Sequence, residues 1–86
     1  MPYIKPESRD KFSKTLSAFY NTKDGLTTGD LNFLLSSMMS MLVSDSVTYT
    51  KINNLIGVLE CVKLELYRRI ATPYEDEKID ENGDVY

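Results

Sequence analysis

The sequence predicts an all-α fold: two short helices packed on one long helix, with an extended N-terminal arm and an acidic C-terminal tail. Three observations predict it. Apolar residues recur at three- and four-residue steps in three separate stretches. Helix-starting and turn residues fall between those stretches. Asp24-Gly25, the turn that would suit a hairpin, has no alternating flanks to make strands.

Residues 1–5 form the arm, because Pro2 and Pro6 push the residues before them out of helical geometry. Pro6 suits a first helical turn, and Glu7 and Asp10 suit the positive end of a helix. Phe12, Leu16, Phe19 and Tyr20 then make one stripe on a helix over roughly Glu7 to Asn21. The loop from Asn21 to Gly29 contains Asp24-Gly25, a strong turn signal. Thr27 stands three residues before Asp30, the spacing of a capping box, with Thr28 or Gly29 as alternative caps. The second helix runs to about Val43 and buries Leu31, Leu34, Leu35, Met38, Met41 and Leu42. Phe33 and Met39 point elsewhere and widen the apolar surface. Its methionines either fill an irregular core or form an adaptable surface.

After a link from Ser44 to Thr48, the third helix runs from about Tyr49 to Ala71, some 33 Å at 1.5 Å per residue. Tyr49, Ile52, Leu55, Ile56, Leu59, Val62, Leu66, Tyr67 and Ile70 cover one broad arc. At about 100° per residue from Ile52, Gly57, Cys61 and Leu64 fall near 140°, 180° and 120°. A helix apolar on two flanks needs two neighbours. The short helices cover one flank; another subunit covers the other, through Gly57, Cys61 and Leu64, with Phe33 and Met39. Gly57 costs up to about 1 kcal/mol inside a helix, which indicates close packing, or else a kink. Thr72-Pro73 is expected to end the helix.

Composition narrows the function. The chain has 86 residues, 10 basic and 13 acidic, a net charge of −3, and 42% apolar residues. This length gives a single helical domain, residues 1–74, and an acidic tail, residues 75–86. Chains this short bury only about 60% of their unfolded surface, so partner subunits are expected to supply stability. The tail holds six acids and one lysine, so it carries −5 against +2 for the body. It is either disordered and solubilising, or ordered through Ile79, Val85 and Tyr86, folded back across a basic surface or packed on a neighbour. The acidic excess disfavours nucleic acid as a partner. There is no histidine, and Cys61 is the only cysteine. That composition excludes histidine-based general-base chemistry, the usual zinc sites and a disulfide framework. No cofactor and no metal are expected, and the chain is not expected to be an enzyme. The apolar stretch Leu31 to Val43 holds 13 residues, against about 20 for a membrane span. No membrane association is expected, and no leader; the chain is expected in a cytoplasm.

The candidate ligand-binding groups are Tyr67, Arg68, Arg69 and Lys63 on the long helix, with Tyr3 and Lys5 in the arm. Arginine engages two acceptor oxygens at once, lysine meets phosphate as a point charge, and tyrosine faces stack on bases. The competing reading is structural. Glu60–Lys63, Glu65–Arg68 and Glu65–Arg69 have helical pairing distances, and late arginines suit the negative helix end. Thr22 to Gly29 has glycines and threonines but lacks the Gly-Lys-Ser/Thr ending of a P-loop.

The run INNLIGVLECVKLELYRRIATPYEDEKIDENGDVY, Ile52 to Tyr86, resembles a family of small uncharacterised proteins of bacteriophage and bacterial genomes. The opening MPYIKPESRDKF is similar to that family's start. Tyr67, Arg68, Arg69, Pro73, Tyr74, Glu75 and the ending Glu81 to Tyr86 carry the closing signature. The resemblance implies no activity. In layout the chain also resembles phage sponges, which sequester cyclic-nucleotide immune signals. That likeness implies a homo-oligomer whose subunit interfaces present arginine and tyrosine to a small anionic nucleotide. The expected function is therefore that of a small homo-oligomeric phage-type protein with a structural or protein-interaction role. The alternative is an anti-defence sponge for a nucleotide second messenger.

Overall fold

The computed structural model describes residues 2–86. It is all-α, with two shorter helical stretches and one long one, and no β-strand among the described residues. The chain divides into two compact units, Met1–Lys51 and Ile52–Tyr86.

In the first unit the arm has no regular structure, as the prolines require; its first position, Met1, lies outside the described residues. The Ile4 N–H donates to the Pro2 carbonyl at 3.1 Å, and Arg9 Nε donates to the Ile4 carbonyl at 3.0 Å. Helix α1 (Pro6–Arg9) starts on proline with Glu7 in its first turn. A 3₁₀ turn, Asp10–Phe12, joins it to α2 (Ser13–Thr22). The expected first helix is thus present but tightened at its middle, where Phe12 sits at φ −99°, ψ 1°. Gly25 has φ +80°, a left-handed conformation that glycine takes without steric cost.

Helix α3 (Thr28–Val43) begins at the capping box. The Asp30 N–H donates to Thr27 Oγ1, and the Thr27 N–H donates to Asp30 Oδ2, each at 3.0 Å. Two donors that the first turn would otherwise leave unpaired are satisfied. Past the link, Thr48 Oγ1 accepts from the Lys51 N–H at 3.2 Å, which is N-cap geometry for α4 (Tyr49–Leu66).

The second unit corrects the expected helix end. Pro73 does not stop the chain's helical path. Residues Tyr67–Ala71 widen into a π segment, and α5 (Thr72–Asn82) follows directly. An α-helical Pro73 would drive its ring against the carbonyl four residues back, that of Arg69. The π register moves that carbonyl, and the Thr72 N–H donates to Tyr67 O, five residues back. The acidic segment is therefore ordered and helical as far as Asn82. Gly83, at φ +88°, ends it by donating its N–H to the Ile79 carbonyl at 2.8 Å.

No described residue is buried. On α3 the stripe read as buried is not enclosed: Leu34 is half-buried, while Leu31, Leu35, Met38, Met41 and Leu42 are exposed. The 3.6-residue pattern places these residues on one face, but nothing among the described residues fully covers that face.

Candidate functional site

Three of the candidate ligand groups, Tyr67, Arg68 and Arg69, occupy the π segment, and Lys63 lies in the last turn of α4. Tyr3 and Lys5 lie in the arm of the first unit; Lys5 precedes α1 without a side-chain cap bond. All six are exposed.

Acidic neighbours engage most of the second-unit groups. Arg68 Nη2 meets Glu65 Oε1 at 2.8 Å, and its Nε donates to the same oxygen at 2.8 Å. Glu65 is the more enclosed partner, its side chain 20% exposed. Lys63 Nζ meets Glu60 Oε1 at 2.8 Å. Both pairs occur at the three-residue spacing read from the sequence. As surface pairs they contribute at most about 1 kcal/mol each. Arg69 has no side-chain partner among the described residues.

The Tyr67 hydroxyl donates to Glu75 Oε1 at 3.0 Å. This hydrogen bond, then the charge of Glu75, then a small loss of solvent, raise the Tyr67 phenol above its ordinary 10.0. Sequence reading missed Glu75 because a spacing of eight is not a helical neighbour. The available signal was Pro73 followed by Glu75 and a run of good helix formers, which reads as a helix start. One turn on, Lys78 Nζ lies 5.5 Å from the Tyr74 ring centroid and pairs with Glu81 at 3.0 Å. A separate open concavity of about 360 Å³ lies between α5 and the Gly83–Tyr86 extension; none of the candidate groups lines it.

The candidate contact residues are also accessible. Phe33 is 74% and Leu64 56% exposed, Gly57 and Cys61 are exposed, and Met39 is half-buried. A methyl group built on Gly57 meets nothing within 4 Å. Among the described residues, no group of three His, Cys, Asp or Glu side chains is placed to hold a metal ion. No helix there is long and apolar enough to cross a membrane.

A profile of the family described as "Domain of unknown function (DUF6899)" matches residues 1–85. The chain belongs to this family. No curated protein and no solved structure matches it.

Proposed function

We propose that this DUF6899 protein acts by association rather than catalysis, as a small homo-oligomer with a structural or protein-interaction role. The observation that carries this reading is that no described residue is buried, although 42% of the chain is apolar. Large apolar side chains left open on helices α3 and α4 find cover in further copies of the same chain. One flank of α4 offers Ile52, Leu59 and Val62, and another offers Gly57, Cys61 and Leu64; in the first unit, α3 offers exposed Phe33 and half-buried Met39. Covering a half-exposed Leu or Ile contributes about 1 kcal/mol. Ten such side chains across two copies give roughly 10 kcal/mol, against an association cost of roughly 4–15 kcal/mol. One contact is then marginal, and more than one flank must be used. A cytoplasmic phage or bacterial setting rests on the likeness of the opening and closing runs.

Sedimentation equilibrium tests this reading. The wild-type chain is expected at a multiple of 9.8 kDa, and Leu59→Lys at the single-chain mass. A wild-type chain that stays single at high concentration contradicts it.

A second reading, sequestration of a cyclic oligonucleotide, is supported by Arg69, whose guanidinium is exposed and has no partner among the described residues. Glu65 and Glu75, already bound to Arg68 and Tyr67, work against it. It requires cyclic di- or trinucleotides to raise Tm, and Arg69→Ala to abolish that rise without changing the mass. Absence of any rise ends it.

A further inference from the structure

Helices α4 and α5 follow one path, and the π segment between them decides how far α5 is turned about it. The Tyr67–Glu75 bond marks that turn. The two side chains meet at 3.0 Å across eight residues, which brings them onto one face only if the segment absorbs one residue. With Ile52 at zero and about 100° per residue, Leu55, Leu59 and Leu66 lie at about 300°, 340° and 320°. Counted one residue back, Tyr74 and Lys78 fall at about 300° and 340°, in line with those leucines. An unbroken α register would put Glu77, Asp80 and Glu81 there instead, at about 340°, 280° and 20°.

The turn sorts the acids of α5 by whether they have a partner. Glu75 and Glu81 stay on the side of the leucines, at about 40° and 280°. Both are engaged: Glu75 accepts from the Tyr67 hydroxyl, and Glu81 meets Lys78 Nζ, each at 3.0 Å. Lys78 also lies 5.5 Å from the Tyr74 ring centroid, on the same face. Asp76, Glu77 and Asp80 have no side-chain partner among the described residues. They fall at about 140°, 240° and 180°, on the far side. An unpaired carboxylate holds its water strongly, so its place beside apolar side chains is unfavourable.

We propose that Pro73, through the π segment, is a register device that keeps the unpartnered acids of α5 off the apolar arc of α4. Pro73 has no N–H to give an α ladder, and its ring would meet the Arg69 carbonyl. The wider turn, closed by the Thr72 N–H on Tyr67 O, is the register that avoids both. The device concerns the faces of one chain, needs no partner, and is independent of the association reading.

Cross-linking within one chain tests it. In a Cys61→Ser background, Leu66→Cys is combined either with Lys78→Cys or with Glu77→Cys. A rigid thiol reagent reaching about 16 Å, or eleven α-helical rises, bridges cysteines on one face. The proposal predicts fast bridging of 66 to 78 and slow bridging of 66 to 77, with the preference reversed by Pro73→Ala. Faster bridging of 66 to 77 in the Pro73 chain overturns it. So does equal bridging of both pairs, bridging of neither, or a preference that Pro73→Ala leaves unchanged. The unsubstituted chain gives an independent reading, by nuclear Overhauser contacts in labelled protein diluted with unlabelled copies. The Tyr67 ring should contact Glu75; contact with Tyr74, its seventh neighbour, or with neither, overturns the proposal.

Discussion

Tyr67 and Glu75 stand eight residues apart in sequence, yet their side chains are joined at 3.0 Å. On an uninterrupted α-helix, residues at that spacing point about 80° apart at 100° per residue. The π segment between them takes up about one extra residue per turn, so Glu75 faces as a seventh neighbour would, about 20° from Tyr67. The widening that accommodates Pro73 therefore also creates the one phenol–carboxylate bond across it.

This bond has a pH signature. Tyr67 is raised above 10.0 first by its hydrogen bond to Glu75. The protonated phenol is the form that the fold favours. The bond's contribution is complete below the ordinary tyrosine value and is lost as pH rises through the higher folded value. NMR titration with ring-labelled tyrosine should show Tyr67 ionising above pH 10.0, and Glu75→Gln should return it toward that value. An unchanged titration in the variant would show that Glu75 is not the cause.

Pro73→Ala should release the π register. The substitution restores a backbone donor and removes the ring, so the segment is expected to relax to α geometry. Helix stability should rise, by at most about 3 kcal/mol. Tyr67 should then lose its upward shift even with Glu75 present. Retention of the shift would mean that the widening has another origin.

Thr27→Ala removes the side-chain half of the capping box at the start of α3, the bond from the Asp30 N–H to Thr27 Oγ1, and keeps the Thr27 N–H to Asp30 bond. The expected loss is about 1 kcal/mol, read as a lower midpoint in urea by circular dichroism. Thr28→Ala, next to it, should cost only a few tenths of that.

Gly57 separates the chain from its assembly. In one copy a methyl there meets nothing, so Gly57→Ala should favour the helix by up to about 1 kcal/mol. If other copies pack closely on that flank, the same methyl weakens association. The expected outcome is a more helical chain with a weaker self-association constant by sedimentation. Association that strengthens would remove Gly57 from the contact.

Much of the architecture was legible because it is governed by local rules. The Thr27–Asp30 spacing, the Asp24-Gly25 turn and the Ser44–Thr48 link each needed only a few neighbouring residues. The Glu60–Lys63 and Glu65–Arg68 pairs were legible for the same reason, since three residues is a contact distance on any α-helix. The Tyr67–Glu75 bond was not legible, because it depends on a register change made by Pro73. The rule that proline ends a helix gave way to a local adjustment that spared the ladder. Burial was over-read: periodicity shows which side of a helix is apolar, not whether the same chain covers it. Leu31, Leu35 and Met38 lie on the expected face and are nonetheless exposed.

If covering the open faces of α3 and α4 is what holds these helices, folding and assembly are one equilibrium. Circular dichroism and sedimentation on a single dilution series measure both together. Helical signal and average mass are predicted to fall in step as the chain is diluted. A fully helical species persisting at 9.8 kDa would contradict the account.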